Sequence, residues 1–199
     1  MMDNDISIVR SVQEGQTEAF AGLVNSHRER VYAILMRLVS DPHTAEELAQ
    51  ETFVRAFQGL TNFRGESRFG TWLVQIAVNL ARDHIRGRQR SRFESLDAAL
   101  ERDPDQAVFV DTRNQSNPLS ELYENEMIKQ FEIALAELPP SYREVFVLRH
   151  IENMSYEDIS DTTHDSIGSL KVRAHRARKL LKERMFPDAR ELAPEELSE

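Results

Sequence analysis

From Thr71 to Arg92 the chain reads TWLVQIAVNLARDHIRGRQRSR, and its polar residues are of the kinds that bind nucleic acid. At the helical period of 3.6, Gln75, Asn79, Arg82, Asp83 and Arg86 fall on one side, with Trp72 at their flank. Arg86, Arg88, Arg90 and Arg92 then follow at every second position. Arginines neutralise phosphates, amides hydrogen-bond base edges, and an indole can stack on an unpaired base. An ordinary amphipathic helix with a solvated basic end shows the same periodicity. Its apolar side would be Leu73, Ile76, Ala77, Leu80, Ala81 and His84.

A second basic surface lies near the C-terminus. Ser155-Tyr-Glu-Asp158 is a capping box opening a short helix to about Thr162, and a tight turn leads into a helix from about Ile167 to Met185. In that last helix Leu170, Ala174, Ala177 and Leu181 point inward. Lys171, His175, Arg178 and Lys182 line the outside, with Val172, Arg176 and Lys179 adjacent. Short helix, turn and basic helix make a helix-turn-helix, whose second helix enters the major groove. A basic amphipathic helix lying on a membrane or a partner is the competing reading.

Two smaller features stand upstream. Glu46, Glu47, Gln50 and Glu51 form an acidic outer patch, which is favourable near a helix N-terminus by ~0.3–1 kcal/mol per group. The loop LTNFRGESRFG, residues 60–70, carries Phe63 and Phe69 among polar and basic neighbours, either as anchors or as stacking platforms. No constellation for catalysis is recognisable. The six histidines are scattered, no Glu-x-x-His pair occurs, and there is no glycine-rich phosphate loop. The chain is therefore expected not to be an enzyme and to need no cofactor or metal.

These surfaces need helices to position them. Glycine is sparse and apolar periodicity is helical nearly throughout, so the fold class is all-α. Helices are expected over Ile6–Glu14, Thr17–Val39 (buried stripe Phe20, Leu23, Val24, Val31, Ile34, Leu35, Leu38) and from an Asp41 cap with Pro42 to about Gly59. In the third, Ala45, Leu48, Ala49, Phe53, Ala56 and Phe57 should face inward. Further helices are expected over Leu119–Leu138 and Tyr142–His150, on either side of Pro139-Pro140. Residues 93–117 lose the pattern and read as a flexible acidic linker between two small helical domains, 1–92 and 118–186, with an acidic tail at 187–199. At 199 residues, 40% hydrophobic and 30% charged, the composition is that of a globular protein, expected to be cytoplasmic, with no signal peptide and no membrane insertion. The absence of cysteine excludes a disulfide framework and a thiolate metal site. A net charge of −9 argues against nucleic acid, but positive residues concentrate in 82–92 and 171–184, and segregation outweighs the sum.

Three long motifs in fixed order carry a resemblance: AEELAQETFVRAF, NFRGESRFGTWLVQIAVNLARDHIR, and LPPSYREVFVLRHIENMSYEDIS followed by IGSLKVRAHRARKLL. Together they resemble bacterial RNA polymerase sigma factors of the extracytoplasmic-function (ECF) class in the sigma-70 family. The resemblance spans roughly 20–92 and 117–185, with the first half similar to sigma region 2 and the second to region 4. It implies promoter recognition and initiation of transcription from a specific regulon. The implied partners are core RNA polymerase (its β′ clamp and β flap), promoter DNA and an anti-sigma factor. By the same resemblance Glu47, Gln50, Glu51 and Val54 dock on polymerase. The −10 element falls to Phe63, Arg64, Phe69, Trp72, Gln75, Asn79, Arg82, Asp83, Arg86 and Arg88, with Phe63, its loop and Asn79 at a flipped base. The −35 element falls to Ser169, Lys171, Val172, His175, Arg176 and Lys179.

One departure concerns the helix-turn-helix turn, Thr162-Thr163-His164-Asp165-Ser166, where the family commonly places small or apolar residues and glycine. A positive φ is easy for glycine and harder for His164, and Thr163 stands where an apolar contact is usual. A stand-alone dimeric helix-turn-helix regulator is the alternative, although it leaves residues 46–92 without a role. A carboxylate metalloprotein built on 46–51 and an adaptor without DNA are further possibilities.

Overall fold

The computed structural model describes residues 2–95 and 118–187, and side chains within 5–88, at 90 and over 126–187. Among the described residues every regular element is helical, and the chain divides into two compact units, 1–107 and 108–199. The expected linker, apart from 93–95, lies outside the described residues, as does the expected acidic tail from 188 onward.

In the N-terminal unit, α1 (Met2–Gln13) ends ahead of Gly15, whose φ of 101° only glycine adopts cheaply. A 3-10 turn, Thr17–Ala19, leads into α2 (Phe20–Val39), so the single long helix expected from Thr17 begins as a tighter turn. Helix α3 (Pro42–Gly59) starts as its sequence dictates: the Asp41 carboxylate accepts from the Thr44 N–H at 3.2 Å, and Pro42 occupies the first turn. After a second 3-10 turn, Leu60–Asn62, helix α4 runs from Phe69 to Ser95, three residues beyond the expected domain end.

Helices α2, α3 and α4 pack on one another. Leu23, Ile34, Leu35, Ala45, Ala56, Leu73, Ala77 and Val78 are fully buried between them, each large side chain contributing roughly 1.5–3 kcal/mol. One expectation fails on α3, and one buried residue was not foreseen. Phe57 is 42% exposed and covers Phe20 edge-on at 5.1 Å between ring centres, instead of entering the core. Thr52 is fully buried, its hydroxyl satisfied by the Leu48 carbonyl at 2.7 Å. Phe57 lies at the edge of the packed face, where its ring is shared between Phe20 and solvent. Val24, expected in the buried stripe of α2, is only half-buried.

In the C-terminal unit, α5 (Pro118–Ala136) stops ahead of Pro139-Pro140. Its end is capped from below: the buried Arg143 guanidinium donates to the carbonyls of Ala136 and Leu138, the latter at 3.1 Å. Helix α6 (Pro140–Phe146) does not continue to His150 as an α-helix, because Val147–Ile151 form a π turn, closed where Glu152 N–H donates to Val147 O at 2.9 Å. Arg149 then donates to the Met154 carbonyl at 2.8 Å and fastens the following bend. Helix α7 (Tyr156–Thr163) opens with the full capping box, Asp158 N–H donating to Ser155 Oγ at 3.0 Å and Ser155 N–H to the Asp158 carboxylate at 3.4 Å. Helix α8 (Ile167–Met185) buries Leu170, Ala174, Ala177 and Leu181, as its periodicity required.

The turn between α7 and α8 places His164 at φ 59°, ψ 22°, the left-handed conformation that a β-carbon disfavours. Its imidazole is exposed, while its N–H closes α7 on Ser160 O at 2.8 Å. The expected consequence is a strained joint. His164→Gly should leave the chain as stable as wild type or up to ~1 kcal/mol more stable, since relief of the left-handed strain exceeds the entropy glycine adds to the unfolded state. Differential scanning calorimetry of the full chain checks this, and a clear drop in Tm would contradict it.

Candidate nucleic-acid interface

The N-terminal face is built around three aromatic rings. Phe69, at the first turn of α4, is 2% exposed; its ring meets His27 of α2 at 5.4 Å, Trp72 at 5.8 Å and Phe63 at 6.0 Å. Phe63 and Trp72 are themselves 4.9 Å apart and half-buried. Phe69 is therefore an anchor: a buried ring offers no face to a base, and the expectation that it contacts DNA is corrected on that ground. Phe63 and Trp72 keep exposed edges. Trp72 approaches α3 closely, since a β-carbon on Gly59 would lie 3.2 Å from its ring. Gly70 likewise lets the start of α4 draw near α2, where a β-carbon would meet the Arg30 guanidinium at 2.9 Å.

Beyond the rings, Asn79, Asp83, Arg86 and Arg88 are exposed along α4, and Gln75 and Arg82 are half-buried beside them. Arg64 is exposed on the loop, 4.0 Å from Glu66. Gln75, Asn79, Arg82, Asp83 and Arg86 lie along one side of α4, and Arg88 projects from the other side near its C-terminal end. The opposite side of α4 holds Leu73, Val74, Ala77, Val78, Leu80 and Ala81, all buried.

On α3, Glu47, Gln50, Glu51 and Val54 recur at helical spacing and share one face. Gln50 and Val54 are exposed. Glu51 pairs with Arg55 at 2.7 Å, and Glu47 lies 3.5 Å from the His43 imidazole. Among the described residues no group of three His, Asp or Glu side chains is arranged to hold a metal ion.

On α8, Lys171, Val172, His175, Arg176 and Lys179 are exposed, and Ser169 is half-buried with its N–H donating to the Ser166 cap at 3.3 Å. Val172 is an exposed aliphatic side chain among cations. Two aromatics that the sequence did not single out steer this face. The Tyr156 ring lies between cations, with the Arg149 guanidinium at 5.1 Å and the Lys171 ammonium at 5.8 Å from its centre. Arg176 donates to the Tyr142 hydroxyl at 3.3 Å, beside a shallow cavity of about 300 Å³ that Lys179, Leu180 and Glu183 also line. The His150 imidazole, within the π turn, is held below its ordinary pKa by desolvation and then by Arg178 and Arg149. Those causes favour its neutral form.

Comparison with known proteins gives a match for each unit. Residues 23–91 match Sigma-70 region 2 and residues 128–181 match Sigma-70, region 4. The RNA polymerase sigma-H factor of Pseudomonas aeruginosa is 32% identical over 193 residues, covering 95% of this chain and 97% of that protein. The chain belongs to the sigma-70 family, in its ECF class. The ECF RNA polymerase sigma-E factor of Haemophilus influenzae is 31% identical, covering 92% of this chain and 96% of its own length. Among solved structures, the sigma factor RpoE in complex with the anti-sigma factor NepR from Bartonella quintana matches with a TM-score of 0.66 and 26% identity. That match covers 85% of this chain and 98% of the other. CnrH, solved with the cytosolic domain of CnrY, shares the fold with a TM-score of 0.61. A stand-alone dimeric regulator would have no use for the region 2 match, and that alternative falls away.

This ECF chain compensates for its unusual turn in a way that the sequence did not suggest. Arg173, on α8, clasps Asp165 with two parallel hydrogen bonds of 2.9 and 3.0 Å, both side chains being mostly buried. Ser160 Oγ donates to Asp165 O at 2.8 Å, and the buried Thr163 hydroxyl is satisfied by Ile159 O at 2.8 Å. The polar Thr163 is thus accommodated where an apolar contact was expected. Arg173→Met should lower stability by about 1–3 kcal/mol, the range for a charge-assisted pair in a partly buried site. Chemical denaturation of the full chain, followed by helical circular dichroism, reads that loss; an unchanged midpoint would mean the clasp does not hold the turn.

Proposed function

We propose that this chain is the promoter-specificity subunit of a bacterial RNA polymerase. It docks on core polymerase through α3, reads the −35 element as duplex through α8, and opens and holds the −10 element through Phe63, Trp72, Asn79 and the basic end of α4. The C-terminal unit would also engage the β flap. The observation that carries the reading is the presence in one chain of both regions, each presenting a separate polar and cationic face. Polymerase supplies the chemistry, so the chain has no catalytic residue and needs no cofactor. The structure of the similar RpoE with the anti-sigma factor NepR supports an anti-sigma partner here as well. The site of action would be the cytoplasm, with which the lack of any described helix long and apolar enough to cross a membrane is compatible. Run-off transcription with purified core polymerase tests the whole reading: specific transcripts should depend on this chain, and their absence from any genomic template would refute it.

Core docking should depend on the acidic face and not on the DNA faces. Glu51→Lys removes a carboxylate from that face and sets a like charge beside Arg55, a local cost of only ~0.3–0.5 kcal/mol within the helix. Co-purification with core should weaken while helicity is retained. Unchanged core affinity would remove α3 from the docking surface.

The two DNA faces should fail at different steps. A good base contact on duplex is worth ~1–3 kcal/mol, so Arg176→Ala should lower promoter occupancy about tenfold or more before any strand separation. Stacking on single strands is worth about 1–3 kcal/mol per base and offsets the cost of extruding a base. Trp72→Ala and Asn79→Ala should therefore spare closed-complex formation and lower permanganate reactivity at −10 thymines. A pre-melted bubble should rescue Trp72→Ala strongly, Asn79→Ala in part and Arg176→Ala least. Equal rescue of Trp72→Ala and Arg176→Ala would contradict the division of labour.

A further inference from the structure

Helix α1 precedes the region 2 match, which begins at residue 23, and the reading above gives it no role. Its polar side chains nevertheless converge on the aromatic cluster. Gln13, its last residue, donates from Nε2 to the Leu60 carbonyl at 2.9 Å and to the Phe63 carbonyl at 3.0 Å. The orientation of that amide is determined by chemistry: carbonyl oxygens only accept, so the NH2 end must face them. The two carbonyls stand at the two ends of the 3-10 turn Leu60–Asn62, which closes on itself where Phe63 N–H donates to Leu60 O at 3.1 Å. One side chain, 47 and 50 residues away in sequence, therefore grips both ends of the turn from which Phe63 projects.

A second tie comes from the start of α1. His27 Nε2 donates to the Asp5 carboxylate at 2.9 Å, and the His27 ring meets Phe69 at 5.4 Å. Between the two ties Val9 is buried, and Ile8 Cδ1 lies 3.2 Å from where a Gly22 β-carbon would be, so α1 sits tightly on α2. Past Phe63 the loop is mostly exposed until Phe69 is buried. A loop that must become ordered on its ligand loses affinity to conformational entropy, and one held in place beforehand avoids that loss.

We infer that Gln13 is a positioning residue for recognition of the −10 single strand, its amide presetting the Phe63 loop before DNA arrives. The inference rests on the assignment of that loop to the −10 element. Gln13 touches no base in this scheme; it acts through the Leu60 and Phe63 carbonyls.

The test uses holoenzyme assembled from core polymerase and the full chain, with a fluorescent single strand spanning the −10 element of a promoter that the holoenzyme transcribes. Gln13→Met keeps the side-chain length and removes both N–H donors. It should bind the matched strand about five- to tenfold more weakly, the equivalent of one or two modest hydrogen bonds. The ratio of affinities for matched and mismatched base at the flipped position should fall toward one, whereas binding to a −35 duplex should stay at the wild-type level. A helix that merely props up the fold would not lower that ratio. Phe63→Ala, run in parallel, separates the two claims. If Phe63→Ala weakens binding and Gln13→Met does not, the grip is refuted and the −10 reading stands. If neither changes binding, the −10 reading falls and the grip with it. Should Gln13→Met be unfolded at the assay temperature, the wild-type chain decides the matter: NMR should show the Gln13 side-chain amide protons protected from exchange, and rapid exchange would refute the inference.

Discussion

Burial of Phe69 is the constraint on which the N-terminal face depends. Its ring fills the junction where α4 begins against α2, and that fixes which way the first turn of α4 is rotated. With Phe69 inside, Leu73, Ala77, Leu80 and Ala81 follow it into the core at helical spacing. Trp72, Gln75, Asn79 and Arg82 are then carried to the rim and the outside. The same ring supports Phe63 from below, so the loop and the helix present their groups from one base. A polar residue at this position would remove the ring on which Phe63 and Trp72 both rest.

The C-terminal unit meets a comparable demand with polar contacts. A helix-turn-helix needs its second helix at a defined tilt, and the three residues between α7 and α8 allow little slack. His164 accepts the left-handed conformation, while Asp165 is held by Arg173 and Ser160 on either side. Charge-assisted bonds here do what close apolar contact at the turn would otherwise do, with greater directionality. The π turn at Val147–Ile151 has a similar consequence. By widening the backbone it brings Arg149 to both Met154 O and the Tyr156 ring, and Tyr156 in turn attracts Lys171.

A net charge of −9 is compatible with a DNA-binding chain because the cations are arranged by face. Exposed Arg86 and Arg88 extend one end of α4, and Lys171, Arg176 and Lys179 cover one side of α8. Screening at physiological salt cuts off interactions beyond about 8 Å, so a phosphate on either face responds chiefly to the cations next to it. The acidic residues Glu47 and Glu51 stand on α3 instead, beside His43 and Arg55 of the same helix.

Local physics made much of this protein legible from its sequence. Helical periodicity separated the buried and polar sides of α4 and α8, Asp41-Pro42 marked the start of α3, and Ser155-x-x-Asp158 marked that of α7, because each signal acts within four residues of itself. The positive φ at His164 was foreseeable for the same reason: a turn that short leaves few other conformations. Where two or three helices compete for one space, the sequence by itself did not decide. Thr52 is buried with its hydroxyl on Leu48 O, Phe57 lies exposed at the edge over Phe20, and Phe69 is an anchor because His27, Phe63 and Trp72 close around it. The grips of Gln13 on Leu60 and Phe63, of Arg173 on Asp165, and of Tyr142 on Arg176 join residues 8 to 50 positions apart. Contacts at those separations follow from how helices cross, and no periodicity within a single helix encodes them.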